Sequence, residues 1–380
     1  MTGRAVGERP WVLVSGPDQS RAALAAVRAL GQAGYRPAVT VTGRASLSAA
    51  SRYCQRRVPA PPADSDPAGY AAAVRAELAR LEYLAVLPGS DAASIALERP
   101  EARFMDKLHT ARMAAEVGME VPPTRVFESY AELLGAAREL SYPIIVKPDV
   151  KRFLAQRADR PDHLARVSDQ PGRLIVQPFL GDQMHGVLGL AWQGRLLGLT
   201  QFRYQRIWPY PAGTVAAAVT VEPDPQLEER LTRLLAGYDG LFHADMAGPY
   251  LLDLNPRIHA TLPLAAAAGA DLVAACCALL EGKSPPEMRS RAGVRFRWLE
   301  GDIRSLIRSV RQGQRAPVEA LRAARPHRGT VYSIHSLRDP APSFERFRFV
   351  RQEFDKRQVR IAEERRRSDT AQGSMPPTRR

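Results

Sequence analysis

Residues 250–272, YLLDLNPRIHATLPLAAAAGADL, place Asp253, Asn255 and Arg257 at every second position of a segment that otherwise reads as a buried strand. Side chains alternate across a strand, so the three project from one face. The preceding GLFHADMAGPY supplies a second strand, with a turn at Ala247, Gly248 and Pro249. If that turn pairs Met246 with Tyr250, Asp245 falls opposite Leu251 and diagonal to Asp253, on the same face. Two carboxylates and an amide oxygen then converge, an arrangement that is repulsive without a cation. Hard oxygen ligands of this kind suit Mg²⁺, which keeps water and phosphate oxygens in its other positions. Arg257, two residues past Asn255, can pair with a phosphoryl oxygen as charge develops. A hairpin with its polar face in solvent fits the isolated segment equally well.

Upstream, MDKLHTARMAAEVGMEVPPT predicts a helix capped by Asp106, running to about Val117 and closed by Gly118, before VPPT turns the chain out. SYAELLGAAREL gives a second helix and PIIVKP a strand whose apolar run is interrupted by Lys147. A lysine at the end of a buried strand is costly unless something anionic receives it. The strand RLIVQPFLGD is similarly apolar and stops at Pro178, which cannot donate to a ladder. Nearer the N-terminus, WVLVSG, SRAALAAVRALGQAG and RPAVTVTG read as strand, helix, strand, implying parallel pairing and a right-handed crossover. A helix at about 69–80 and the strand YLAVLPGSD complete an open α/β lobe over residues 1–100. SGPDQS lacks the further glycines of a dinucleotide-binding turn.

Taken in order, DK at 106–107, YPIIVKP at 142–148, VQPFL at 176–180, Asp245 and DLNPRIHATL resemble the ATP-grasp superfamily, of carboxylate-amine ligase or carboligase type, over residues 10–345. The resemblance implies an α/β fold of three lobes: an N-terminal open parallel lobe over 1–100, a small central lobe over 101–185 with the nucleotide hinge, and a C-terminal lobe over 186–345 carrying the Mg-binding hairpin. A charged, partly disordered tail over 346–380 follows. It implies that Lys107 and Lys147 contact the phosphates of ATP and that Gln177, Pro178, Phe179 and Leu180 form the adenine hinge. His185 falls near a ribose position. Asp245, Asp253 and Asn255 match ligands of Mg²⁺ (or Mn²⁺), with Asp in place of the more usual Glu at both acidic positions. KPDVKRFLAQRADRPDHLARV holds no glycine where such proteins carry a glycine-rich loop over the triphosphate, and Lys151 or Arg152 is the candidate source of charge there.

The implied chemistry is ligation of a small-molecule carboxylate to an amine through an acylphosphate, releasing ADP and phosphate, with Arg257 and Lys147 as catalytic groups. FRYQRIWPYPAGT at 202–214 is the candidate substrate wall, with Arg203 and Arg206 holding a carboxylate and Gly213 permitting close backbone approach. A bicarbonate-using carboxylase and a catalytically silent ATP-binding protein are the alternatives, the second favoured by the missing glycine loop. GVRFRWLEGDIRSLIRSVRQG and YSIHSLRDPAPSF resemble the C-terminal extension of carboligase-like members, with Trp298 and His335 reading as core or local hydrogen-bonding residues.

Composition limits the rest. The chain has 380 residues, 45% hydrophobic and 25% charged, enough for several lobes around real cores. Its formal charge of +14 comes from arginines scattered among acids, which reads as a solvated basic surface rather than a nucleic-acid site. No apolar run reaches the roughly 18 residues of a membrane span, so a cytoplasmic protein without a membrane partner is expected. Cys54, Cys276 and Cys277 have no disulfide or metal-ligand spacing and read as small core residues. A homodimer is compatible with the family resemblance.

Overall fold

The computed structural model describes residues 9–43, 45–150, 154–167, 169 and 171–354 and distributes their strands over three sheets. Lys151 and Arg152, and the tail beyond residue 354, lie outside the described residues.

The first sheet consists of β1 (Trp11–Ser15), β2 (Arg36–Val41), β3 (Arg56–Pro59) and β4 (Tyr83–Pro88), all parallel in the order β3-β2-β1-β4. The helix Arg21–Gln32 crosses between β1 and β2. It starts where the Ser20 side chain accepts from the Ala23 amide at 3.1 Å, and it buries Val27 and Leu30 in one core and Leu24 in another, against Leu47 and Ile334. This is the strand-helix-strand unit the sequence predicts. β3, RRVP, has only Val58 buried and so carries almost no apolar signal.

The second sheet is small and antiparallel: β5 (Arg125–Phe127), β6 (Ile144–Pro148), β7 (Gln156–Ala158) and β8 (Leu174–Pro178), in the order β5-β8-β6-β7. Its core is sealed by Phe127, Leu133, Ile144, Val146, Leu164 and Leu174. β8 ends on Pro178, and the next amide, Phe179 N, donates to the Pro143 carbonyl at 2.9 Å.

The third sheet holds β9 (Met184–Trp192), β10 (Arg195–Trp208), β11 (Thr214–Thr220), β12 (Gly240–Ala247), β13 (Tyr250–Asn255), β14 (Met288–Arg289), β15 (Arg295–Arg297) and β16 (Val331–Tyr332). Its order is β13-β12-β9-β10-β11-β15-β16, with β14 beside β10. β9 and β10 are joined through Gln193 and Gly194, both at positive φ (48° and 75°), as a two-residue hairpin turn requires. Most of the expected substrate wall is therefore the end of β10 and the turn into β11.

Two helices tie the lobes together. The helix Leu272–Leu280, with Cys276 and Cys277 buried, packs between β12 and β9 on one side and β4 and the helix Arg21–Gln32 on the other. The helix Lys107–Glu116, begun by Asp106 accepting from the amides of Leu108 and His109, packs on β13. Its own Ala114 and the flanking Phe104 and Met119 share a core with Val187, Phe242 and Leu254. The stretch from 101, expected with the central lobe, thus packs on the large sheet until the chain enters β5. No single helix among the described residues is long and apolar enough to cross a membrane.

The C-terminal extension closes back on the first lobe through Asp339. This carboxylate accepts from Arg28 Nε at 2.8 Å, Ser51 Oγ at 2.7 Å and the Arg52 amide at 2.9 Å, and its side chain is 1% exposed. Removing the acid strands a buried guanidinium, so Asp339→Ala is expected to lower unfolding stability by about 3 kcal/mol in urea denaturation. A loss under about 1 kcal/mol would mean that this contact does not hold the extension in place.

Candidate active site

The hairpin that carries the acids is not regular. Ala247 pairs with Tyr250 around a two-residue turn, Met246 with Leu251, and then the register shifts so that Asp245 pairs with Asp253 and His243 with Asn255. Leu252 is the extra residue of a β-bulge. The sequence-based register, with Met246 opposite Tyr250, is corrected by one step at the turn, where Met246 faces Leu251, and by a second at the bulge, so that Asp245 stands directly across from Asp253 instead of diagonal to it. Like charges at directly opposed positions destabilise a sheet, so the pair needs compensation.

The compensation comes from four directions. Tyr204 OH donates to Asp245 Oδ1 at 2.5 Å, and His243 Nδ1 lies 3.6 Å from Asp245 Oδ2. Lys107 Nζ stands 4.0 Å from Asp253 Oδ1, brought there by the helix that packs on β13. Lys147 reaches from β6 and donates to the Leu252 carbonyl at 2.9 Å, the carbonyl of the bulge residue itself. Its side chain is nearly buried, and that burial pushes its pKa from the ordinary 10.5 to about 8, against the pull of Asp253. His243, fully buried, stacks on His259 with ring centroids 3.6 Å apart, and His259 Nδ1 bonds Thr261 Oγ1 at 2.8 Å.

A cleft of about 230 Å³ opens over these groups. Lys107, Lys147, Asp245, Asp253, Asn255 and Arg257 form its floor. Gln177, Pro178, Phe179 and Leu180 line the side where the small sheet meets the large one, together with Ile145 and Met184. Gln177 is held by its Nε2 donating to Thr124 Oγ1 at 2.9 Å. The Arg157 guanidinium lies 4.1 Å above the Phe179 ring and reaches Tyr210 OH at 3.5 Å, so that the rim is bridged from β7 to the loop after β10.

The donor set fits a hard divalent cation. Among the described residues no three His, Cys, Asp or Glu side chains form a complete cage. Two facing carboxylates and an amide oxygen, with cationic side chains alongside, are what a Mg²⁺ shared with phosphate oxygens uses.

Four expectations are revised by the structure. Arg206 lies outside the cleft: its Nε is ion-paired with Asp302, which is fully buried and also takes Arg297. Arg203 is exposed, on the face of β10 opposite to Tyr204. His185 pairs with Arg203 and Met246 and so shares their face of the sheet, not that of Asp245; Met184 takes its place in the cleft. Gly213 does line the cleft, but a Cβ there would meet the Trp208 carbonyl carbon and the Pro209 oxygen at 2.2 Å, so the glycine serves its own loop.

Arg257 lies at the floor with its donors largely committed. Its Nε is ion-paired with Asp91, at the start of the helix Asp91–Ala96, and its Nη2 donates to Asn255 Oδ1 at 2.8 Å. It therefore orients Asn255 and fastens the hairpin to the first lobe. Tyr204, His243, His259 and Asp91 were not singled out from sequence as site residues. His243 precedes Asp245 by two positions on the same strand face, which is the signal that would have found it.

No protein-family model matches the chain. A curated relative, the large chain of carbamoyl phosphate synthase from Thermotoga neapolitana, is 24% identical over 208 residues, 49% of this chain. The chain spans only 19% of that relative's length. Among solved structures, an N5-carboxyaminoimidazole ribonucleotide synthetase in its ADP complex superposes with a TM-score of 0.58 at 14% identity, covering 78% of this chain and 82% of that one. The biotin carboxylase domain of 2-oxoglutarate carboxylase from Hydrogenobacter thermophilus, solved with MgADP and bicarbonate, gives 0.57 at 15% identity over 74% and 72%. An L-amino acid ligase from Bacillus licheniformis gives 0.55 at 15% identity over 73% and 78%. At these identities the likeness is one of fold.

Lys147 yields a two-sided prediction. Its folded pKa of about 8 lies below the unfolded 10.5, so stability of the free protein rises as pH increases from about 8 to about 10.5. At neutral pH the buried ammonium costs about 3 kcal/mol, so Lys147→Met should raise stability by up to that amount and flatten the alkaline rise. The same substitution should abolish Mg-ATP binding, and wild-type affinity should fall about tenfold per pH unit above pH 8. Thermal melts and calorimetric titration check both; a Lys147→Met protein that is destabilised and still binds nucleotide overturns the assignment.

Proposed function

The chain has the ATP-grasp fold, and from that premise we propose that it is an ATP- and Mg²⁺-dependent ligase joining a small-molecule carboxylate to an amine, with release of ADP and phosphate. The observation that carries this reading is the directly opposed pair Asp245 and Asp253, flanked by Lys107 and Lys147 on the floor of one cleft. A protein with no cation to bind gains nothing from two carboxylates in register.

Each side chain has a part to play. Lys147 exchanges its bond to the Leu252 carbonyl for phosphate oxygens, and Lys107 adds a second positive charge from the helix packed on β13. Asp245, Asp253 and Asn255 would hold Mg²⁺ or Mn²⁺, the ion supplying charge neutralisation of the triphosphate when bound. Tyr204 fixes the Asp245 carboxylate and Arg257 the Asn255 amide, so the ligands are oriented before anything binds. The hinge residues Gln177 to Leu180 and the Met184 side chain form the adenine wall, and Arg157 over Phe179 shields it from water.

In the reaction, a substrate carboxylate oxygen attacks the γ-phosphorus and the bond to the β–γ bridging oxygen breaks, so ADP leaves and an acylphosphate remains. The amine nitrogen then attacks the acyl carbon, phosphate departs with its bonding pair, and the nitrogen loses a proton. Both steps need positioning and charge neutralisation, which two lysines, an oriented metal set and a water-poor cleft provide.

ADP release from Mg-ATP, screened against pools of carboxylic acids and amines, tests the proposal. Wild type should release ADP only with particular pools, and Asp253→Ala should lose at least about 100-fold of that rate. Tight nucleotide binding with no pool-dependent release would favour a catalytically silent nucleotide-binding protein. Release indifferent to Asp253→Ala would remove the metal assignment.

A further inference from the structure

With Arg203 and Arg206 outside the cleft, the cation that receives a substrate anion has to be sought elsewhere. The buried arginines around the site are matched by acids: Arg257 by Asp91, Arg206 and Arg297 by Asp302, Arg28 by Asp339. Arg21, at the start of the helix Arg21–Gln32, is different. Its guanidinium stacks 4.0 Å from the Trp298 ring, and its two amino groups reach only Ser333 Oγ and Thr214 Oγ1, each at 3.5 Å. Among the described residues no carboxylate lies within ion-pair distance of it.

The surroundings deepen the imbalance. Glu300, the acid whose charge acts on Arg21, is taken by Arg346 at 2.7 and 2.8 Å and by Arg304 at 3.0 Å, so one carboxylate serves a neighbourhood of three guanidiniums. Burial lowers the Arg21 pKa to about 9, and Arg346 lowers it further than Glu300 restores. Beside it, the Trp298 indole N–H is buried with no hydrogen-bond partner among the described residues. An incoming anion would satisfy both donors; the free protein bears the cost of leaving them unsatisfied.

Position connects this cluster to the cleft. Thr214, the Arg21 contact, follows Gly213, and both line the cleft wall. In the β10–β11 register Thr214 stands opposite Trp208, four residues along β10 from Tyr204 and its partner Asp245, which is about 13 Å of strand. Thr214 is therefore where the two meet: it lines the cleft, and the unneutralised Arg21 guanidinium stands directly behind it, 3.5 Å from its hydroxyl.

We propose that Arg21, with the Trp298 indole N–H and Thr214 Oγ1, binds a second carboxylate of the substrate, one that does not react, so that the preferred acid is a dicarboxylate of extended length. The proposal rests on the ligase reading. It gives that site a substrate class: the reacting carboxylate lies over Asp245 and Asp253, and the other end of the molecule is read by the planar fork of Arg21.

The test compares suberate, an extended dicarboxylate, with octanoate, its monocarboxylate, by calorimetric titration at constant ionic strength in the presence of Mg²⁺ and a non-hydrolysable ATP analogue. Wild type should bind suberate about tenfold or more tightly than octanoate. Arg21→Met should lose that preference while binding the nucleotide as wild type does. Arg21→Lys, which keeps the charge and the stacking methylenes but not the fork, should fold in any case and lose most of it. Equal binding of the two acids by wild type, including binding of neither, or a preference that survives in both variants, overturns the role of Arg21. Nucleotide binding on the same samples separates the two readings: its absence in wild type removes the ligase reading, whereas its presence beside unaltered suberate binding removes only the dicarboxylate.

Discussion

Two carboxylates directly opposed across a hairpin are the constraint around which the rest is arranged. Asp245 and Asp253 repel, and each neighbouring element supplies part of the answer: Tyr204 from β10, Lys107 from the helix on β13, Lys147 from the small sheet. Arg257, holding Asn255 and Asp91 together, extends the arrangement to the first lobe. Removing the acids would leave these cations and hydroxyls with little to face. The three sheets are thus joined not only by apolar packing but by a shared charge requirement at their meeting point.

The two lysines approach that point from different bodies. Lys107 belongs to a helix whose neighbours share the large sheet's core, so it accompanies the hairpin. Lys147 belongs to the small antiparallel sheet, whose core is separate. The two units are joined, among the described residues, by the Lys147 bond to the Leu252 carbonyl, a charged donor on a neutral acceptor that an anion between them could replace.

Much of this was legible in the sequence. Alternation in YLLDLNPR placed the three polar side chains on one face, and Asp106 and Gly118 marked both ends of the helix between them. What failed to show has physical reasons. The bulge at Leu252 was invisible because either register keeps Asp245 and Asp253 on one face. Arg206 looked like a substrate ligand among aromatics, but its partner Asp302 is 96 residues away, and that of Arg257 is 166 residues away. Such pairings are made by folding and leave no local spacing. β3 escaped because one buried valine among arginines carries no period. The β9–β10 hairpin could have been read, since Gln193 and Gly194 stand between two apolar runs.

The bulge has an evolutionary consequence. Removing the single residue Leu252 would restore a regular ladder with Asp245 still opposite Asp253, and with it the same cross-strand pairs as far as Asn255. The carbonyl that receives Lys147 would go with it. One codon therefore separates a hairpin that only opposes two carboxylates from one that also engages the neighbouring lobe, and lineages that gain or lose that codon would change the coupling between lobes without altering either carboxylate.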